Sequence, residues 1–430
     1  MPPNVIHLVG AAGTGMSALA EALLDCGEAV SGSDRFLDSS APVPALQALR
    51  SQGVEFFPQD GSGIRPGITA RVVASVAVED DNPDLAAARR ANIPSSRRAD
   101  ELARLFDGRR LVAVAGTSGK STTTAMLGHL LRCCGMDPRV VNGAPCVNWM
   151  RPGRTGAVLA GNGPWVAEAD ESNRQFLAFS PAAAIILNES ADHFPIAETH
   201  ALFDEFASRV RGPVVDARGE NPAHDVVEGE WSVSFSLDGM RIAVPLPGAY
   251  NAENASAACR MAIALGAARE SLAPALATFR GLARRMQLVG RRADGLRAVD
   301  DYAHNTEKLR ASLLALRKRS ERLFAVWRPH GYGPLRAMWD DLLEMFTATL
   351  RPDDRLLLLP VFDAGGTADR SVRSEDFVAA LASRGAPARF AATPGDAAAV
   401  VRAEARGRDI AATFGARDPG LPILAKSFIS

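Results

Sequence analysis

The sequence predicts an α/β fold in several domains, and three observations carry that prediction. Two short apolar strands, near residues 5–9 and 111–115, each run straight into a glycine-rich turn and an apolar-periodic helix; a third strand–helix alternation begins near Val299. Strand–turn–helix openings of this kind are how parallel sheets covered by helices begin. At 430 residues the chain exceeds what one core usually organises. Three domains are therefore expected, at 1–107, 108–294 and 295–430.

Val5-Ile6-His7-Leu8-Val9 reads as a buried strand, Gly10-Ala-Ala-Gly13-Thr-Gly15 as the turn after it, and residues 16–24 as a helix. A second strand, 29–34, ends in Asp34 about 20 positions after the turn, as nucleotide-binding βαβ units often do. Alternation at 72–78 and 85–91 extends this unit to about residue 107. Leu111-Val112-Ala113-Val114-Ala115 opens the second unit, so two nucleotide-type openings imply two nucleotide sites. In the third unit, strands are expected at 323–326 and 355–359 with a helix at 339–346 between them.

Composition narrows the function classes. With 47% hydrophobic and 23% charged residues and a net charge of −1, the chain reads as globular, with no basic excess to attract nucleic acid. Its five cysteines lack the spacing of a disulfide framework or zinc site. The N-terminus enters a strand at once and no run of about 20 apolar residues follows. A cytoplasmic protein without a membrane partner is expected. Only four of the 48 basic residues are lysine (Lys120, Lys308, Lys318, Lys426), and Lys120 lies in the strongest motif.

That motif is Gly116-Thr117-Ser118-Gly119-Lys120-Ser121, followed by Thr122 and a helix over 122–131. Loop amides and the helix N-terminus would bind phosphate oxygens, Lys120 would neutralise the terminal phosphates, and the Ser121 hydroxyl would ligate Mg²⁺. Counted from Gly116, the loop is two residues shorter than the general GxxxxGKS pattern.

The shortened loop resembles that of the Mur ligases, and further motifs extend the resemblance over essentially the whole chain. It implies a Rossmann-like N-terminal domain binding a UDP sugar, a P-loop central ATPase domain and a Rossmann-like C-terminal domain receiving an amine. The opening through Gly10, Gly13, Thr14, Gly15, Met16 and Ser17, together with Gly32-Ser33-Asp34 and Asp81-Asn82-Pro83, is similar to the branch that adds the first amino acid, or a recycled peptide, to UDP-N-acetylmuramate. Those turn residues, Asp34 and Ser75 are the implied UDP-sugar contacts.

In the central domain, Glu168-Ala169-Asp170-Glu171 matches the family's acidic strand end, where Glu168 is the implied Mg²⁺ ligand. On residues alone, a solvated acidic turn fits equally well. Asn188 to His193 follows the apolar strand 184–187 and resembles the family's NxxxDH pattern, making His193 an implied second-metal ligand; a lone His there is more often structural. No Lys lies between Lys120 and Lys308, so the resemblance is to the branch lacking a metal-bridging carbamylated lysine. Pro247-Gly248-Ala249-Tyr250-Asn251 resembles PGxHN, with Tyr250 for the usual His and Asn251 near the adenine; a helix cap is the alternative.

Arg284-Arg285-Met286-Gln287 corresponds to a family segment that implies Arg285 at the ATP phosphates. Asp300-Asp301-Tyr302-Ala303-His304 resembles the DDYAH hinge, though its usual continuation is broken at Asn305-Thr306-Glu307. The resemblance implies ATP or amine contacts for Asp301, Tyr302 and His304. Trp327-Arg328-Pro329-His330-Gly331-Tyr332-Gly333-Pro334 resembles the loop around the incoming amino acid, with His330 retained, but Gly331 and Pro334 replace two arginines. Because Arg forks are the usual carboxylate clamps, Arg328 and Arg336 become candidates to compensate.

The implied reaction uses ATP and one or two Mg²⁺ ions. The muramyl carboxylate is phosphorylated, and the resulting acyl phosphate is attacked by an amine, with Lys120, Glu168, His193 and His304 as catalytic candidates. L-alanine is the leading amine; a murein tripeptide or another amine is the alternative, and the expected oligomeric state is monomer or homodimer. A folylpolyglutamate-synthase-like enzyme would share the last two domains but not the first. A nucleotide-dependent oxidoreductase would use the first glycine turn but leave the second unexplained. The first 107 residues alone are expected to retain affinity for the UDP sugar.

Overall fold

The computed structural model describes residues 4–38, 43–170, 174–190, 194–219, 222–363 and 369–430. The chain divides into two compact units, Met1–Leu282 and Ala283–Ser430.

The first unit begins with a wholly parallel five-stranded sheet of β1 (Val5–Val9), β2 (Val30–Ser33), β3 (Glu55–Phe57), β4 (Thr69–Ala74) and β5 (Ser95–Arg97). Its order is β3-β2-β1-β4-β5. Strand β1 is central and buried along its length, which explains its unbroken apolar run apart from His7. His7 is accommodated by Ser31 Oγ, 2.9 Å from its Nδ1. The order reverses beside β1, where β2 and β4 flank it, the position at which such sheets bind ligands beyond their carboxyl ends.

A second sheet follows the same plan with β6 (Leu111–Ala115), β7 (Arg139–Val141), β8 (Val158–Leu159), β9 (Trp165–Glu168), β10 (Ala183–Ile186) and β11 (Val214–Asp216). Its order is β11-β10-β6-β9-β7-β8, parallel except for β8. The helix Lys120–Cys133 lays Met126, Leu127, Leu130 and Leu131 into an apolar cluster with Val112 and Val114. An antiparallel sheet of β12 (His224–Glu228), β13 (Val233–Leu237) and β14 (Met240–Val244) adds Val233, Phe235 and Ile242 to that cluster.

The first two sheets are not separately packed. Leu102 and Phe106, on the helix Arg98–Phe106, belong to one core with Trp165, Phe179 and Phe206. The Phe106 ring meets Trp165 and Phe179 edge-on at 5.8 and 5.4 Å. Each fully buried side chain of this kind contributes about 1.5–3 kcal/mol. At the rim, Arg154 pairs with Asp25 at 2.5 Å and with the buried Glu21, tying the second sheet's loops to the first helix.

The second unit carries β15 (Gln287–Arg291), β16 (Arg297–Asp301), β17 (Leu323–Trp327), β18 (Arg355–Leu358), β19 (Ala388–Phe390) and β20 (Ile410–Phe414) in the order β15-β16-β20-β17-β18-β19. All but β15 run parallel. Strand β20 is inserted between β16 and β17, so three parallel strands end side by side, with Asp301, Phe414 and Trp327 in register. No described helix is long and apolar enough to cross a membrane.

Candidate active site

In the first sheet, Val9 pairs in register with both Ser33 and Ala74. The next residue on each strand is therefore Gly10, Asp34 or Ser75, so three of the expected UDP-sugar residues meet at one level. Gly10 has a positive φ of 81°, and a Cβ there would lie 3.2 Å from that of Ser75. The Asp34 carboxylate accepts from the amides of Ala12 at 2.7 Å and Phe36 at 2.9 Å, holding the turn in shape. Gly13 and Thr14 are exposed at the start of the helix Thr14–Asp25. Met16 and Ser17 are buried, and Ser17 Oγ donates to the Thr14 carbonyl, so these two offer a ligand backbone only.

Beyond β6, Gly116 and Gly119 have φ of 136° and 85°, conformations that L side chains rarely adopt. A Cβ on Gly119 would lie 2.4 Å from Asn254 Oδ1, and one on Gly116 would lie 2.9 Å from Leu187 Cβ. The loop is braced from β10's end: Asn188 accepts from the Ser118 amide at 2.9 Å and donates to its carbonyl at 3.1 Å. Thr117 Oγ1 accepts from the Ser190 amide. Lys120 Nζ donates to the Gly116 carbonyl at 2.8 Å, curling over the loop. Thr122 is half-buried behind it.

Glu168 ends β9, two positions short of the level of Gly116, with Val114 as its register partner. Its carboxylate accepts from the Ser121 hydroxyl at 3.0 Å and from the Gly143 amide. Burial pushes this carboxyl above its ordinary range, opposed by the Gly143 amide, the Ser121 hydroxyl, Arg98 and Lys120. The paired oxygens of Ser121 and Glu168 are a hard donor set suited to Mg²⁺. Among the described residues no three His, Cys, Asp or Glu side chains converge as a metal site, and His193 lies outside the described residues.

Arg98 is a residue that sequence reasoning missed. Its Nε donates to the Gly15 carbonyl at 3.1 Å, and its charge acts on Glu168 and Asp170. A Cβ on Gly15 would lie 2.8 Å from that Nε, so the glycine leaves room for the guanidinium. Arg98 thus joins the turn after β1 to the acidic end of β9. Nothing in its local sequence signals this, because β5 and β9 are brought together only by the packing of two sheets.

Asn251, expected near the adenine, is buried on the helix Tyr250–Ala264. Its Nδ2 donates to the Pro247 carbonyl at 2.8 Å and its Oδ1 faces Asn254 Nδ2 at 3.4 Å. Asn254 is the one whose oxygen approaches the phosphate loop.

In the second unit, positive φ at Arg284 (60°) and Met286 (44°) brackets Arg285 and leaves it exposed. Such backbone costs about 1 kcal/mol or more per residue. Here it is held by Arg284, which pairs with Asp300 at 3.2 Å, and by the Met286 amide, which donates to Asp301 at 2.7 Å. Asp301 also accepts from the Ala303 amide; burial raises its carboxyl to about 6. Tyr302 lies under both guanidiniums, Arg284 and Arg285, at 5.2 and 5.3 Å.

His304 and His330 meet edge-to-face at 4.9 Å. The His304 Nδ1–H donates to the Tyr302 carbonyl at 2.9 Å, which leaves Nε2 as the basic nitrogen. Burial lowers both imidazoles, His330 to about 4, so both are neutral at pH 7. Arg336 points elsewhere: it pairs with Asp369 at 2.8 Å and donates to Ser371. Arg328 is likewise engaged, by Asp418 at 2.7 Å and the Pro360 carbonyl.

Residues 5–110 match the model described as "Mur ligase family, catalytic domain" and residues 284–417 that of "Mur ligase, glutamate ligase domain". The UDP-N-acetylmuramate–L-alanine ligase of Agrobacterium fabrum is 33% identical, the alignment covering 96% of this chain and 94% of that protein. Its counterpart from Acidithiobacillus ferrooxidans is also 33% identical, with the same shares covered. Among solved structures, the UDP-N-acetylmuramate-alanine ligase of Thermotoga maritima shares the fold with a TM-score of 0.80 at 23% identity, covering 99% of this chain and 98% of that one. The murein peptide ligase of Psychrobacter arcticus gives 0.66 at 22%, with the same coverage. On its glycine-bound phosphate loop, its Ser121–Glu168 pair and its kinship over nearly the full length, the chain belongs to the Mur ligase family.

Proposed function

We propose that the protein is an ATP-dependent ligase that joins L-alanine to the carboxylate of UDP-N-acetylmuramate, in the cytoplasm, during peptidoglycan precursor synthesis. The observation that carries this reading is the cluster beyond the ends of β6 and β9, where Lys120 curls over the loop and the Ser121 hydroxyl meets the Glu168 carboxylate, beside two glycines that leave no room for a Cβ. Relatives named for this reaction align with nearly the whole chain.

Residues 1–107 are assigned the UDP sugar, 108–294 ATP, and 295–430 the amine. Ser121 and Glu168 would hold Mg²⁺, with His193 as the candidate ligand of a second ion. Bound there, magnesium supplies neutralisation of the polyphosphate charge. Lys120 screens the transferring phosphoryl group, as loop lysines do.

A carboxylate oxygen of the sugar bonds to the γ-phosphorus of ATP while the bond to the β,γ-bridging oxygen breaks, giving an acyl phosphate and ADP. The neutral amine then attacks the acyl carbon, phosphate departs with the bonding pair, and the surplus amine proton passes to a base. His304 suits that role, since its Nε2 carries the lone pair and burial keeps the ring neutral. The protein acts as a monomer or homodimer on small molecules, without nucleic-acid or membrane partners.

The test is to supply UDP-N-acetylmuramate, ATP, Mg²⁺ and L-alanine, and to measure ADP release and the mass of the nucleotide product. An alanyl adduct that requires every component is expected. Adduct formation only with a murein tripeptide would replace this reading with the recycling ligase, and ADP release indifferent to the sugar would remove the muramyl substrate.

A further inference from the structure

Asp301, Phe414 and Trp327 are in register at the carboxyl ends of β16, β20 and β17. Three residues beyond each of them stand His304, Arg417 and His330. Three adjacent parallel strands therefore deliver two imidazoles and one guanidinium to the same rim, at the switch in strand order where α/β sheets bind ligands.

The acidic groups nearby are already committed. Asp300 is bound by Arg284 and the Thr413 hydroxyl, Asp301 by two backbone amides, and Asp418 by Arg328 and the Gly420 amide. Arg417 itself is exposed and makes no ion pair or hydrogen bond among the described residues. Its guanidinium leans over Gly331: a Cβ built there would lie 3.6 Å from Arg417 Nη1. Its charge reaches both imidazoles. The rim thus holds a cation with no counter-charge next to a neutral base, the arrangement that an amino acid, with its carboxylate beside its amine, would complete.

We propose that Arg417 binds the α-carboxylate of the incoming amino acid, taking from the loop after β20 the role that Gly331 and Pro334 cannot fill and that Arg328 and Arg336, already paired, do not. The assignment rests on the reading of this unit as the amine-receiving one. It sets the amine's nitrogen beside His304 Nε2 and makes the carboxylate a requirement for tight binding.

The experiment compares the full-length wild type with Arg417→Ala and Arg417→Lys on L-alanine and on L-alaninamide, which keeps the amine but not the carboxylate charge. Arg417→Ala is expected to raise the KM for L-alanine by about tenfold or more and to abolish the preference for acid over amide. KM for ATP and for the UDP sugar stay unchanged, and Arg417→Lys recovers part of the preference. An unaltered acid-to-amide ratio overturns the proposal, as does a loss falling on KM for ATP or the sugar, which would make Arg417 a phosphate ligand. If the wild type ligates a different amine, the L-alanine reading fails by itself. The acid-to-amide ratio for the amine it does use then decides the role of Arg417 in the same way.

Discussion

Arg98 donates from Nε to the carbonyl of Gly15 at 3.1 Å, so a residue entering from β5 is fastened to the turn that follows β1. From there its positive charge also favours the ionised form of Glu168. Replacing Arg98 with Ala removes one of the four influences that oppose the burial of that carboxylate, and its pKa rises further. The acid limb of the profile of kcat/KM against pH is expected to move to higher pH. Gly15→Ala, which displaces the guanidinium without removing it, should move the limb in the same direction by less. An acid limb unmoved in Arg98→Ala would show that Glu168 is not sensed by turnover.

Lys120→Ala removes an ammonium that curls over the loop and leaves no cavity in the core. A loss in kcat of at least about a hundredfold is expected, with an unchanged Tm. Near-normal phosphate release by a folded variant would remove Lys120 from the transfer step.

Glu168→Gln keeps the side chain's shape and one oxygen acceptor while deleting the charge. The Mg²⁺ concentration giving half-maximal activity should rise about tenfold or more, in line with the worth of charge-assisted contacts. Metal titrations of the two proteins that superimpose would place the ion elsewhere.

Asp301 makes a prediction about stability. Its carboxyl is raised in the folded chain from an ordinary 3.8 to about 6, mainly by burial. The folded state therefore binds the proton more tightly than the unfolded one. The associated stabilisation is fully present below about pH 4 and is lost as pH rises through about 6. The stability of wild type relative to Asp301→Asn should fall by about 3 kcal/mol between pH 4 and pH 7. Chemical denaturation of both proteins across that range checks it, and a constant difference would contradict the raised value.

What the sequence made legible was local. The phosphate loop lies within a few consecutive residues, and its glycines, Lys120 and Ser121 need only a strand before them and a helix after. Asp34 is legible as the acidic end of its strand, whereas Glu168 reads equally well as a solvated acidic turn, and it and Ser75 are singled out only by the family resemblance. Arg98 and Arg417 carry no such signal, because strand order, not spacing, brings them to their neighbours; Asn188 heads the motif after β10, but its bracing of the Ser118 backbone is visible only in the fold. Arg336 shows the converse: it lies close in sequence to the altered loop, yet Asp369 and Ser371 hold it away. The sheet β12–β14 is silent in the sequence for a plainer reason: β12 is exposed at all five positions and shows no apolar alternation.

The edge-on meeting of Phe106 with Trp165 and Phe179 bears on how such a chain can be cut or recombined. A break at residue 107 would strand Leu102 and Phe106 in water on one piece and bare Trp165, Phe179 and Phe206 on the other. The first 107 residues expressed alone should aggregate rather than bind a nucleotide sugar, contrary to what their self-contained motif suggests. A break between Leu282 and Ala283 falls between compact units. Crossovers between homologous genes should therefore survive at the second seam and be purged at the first, so that the two N-terminal sheets are inherited as one block.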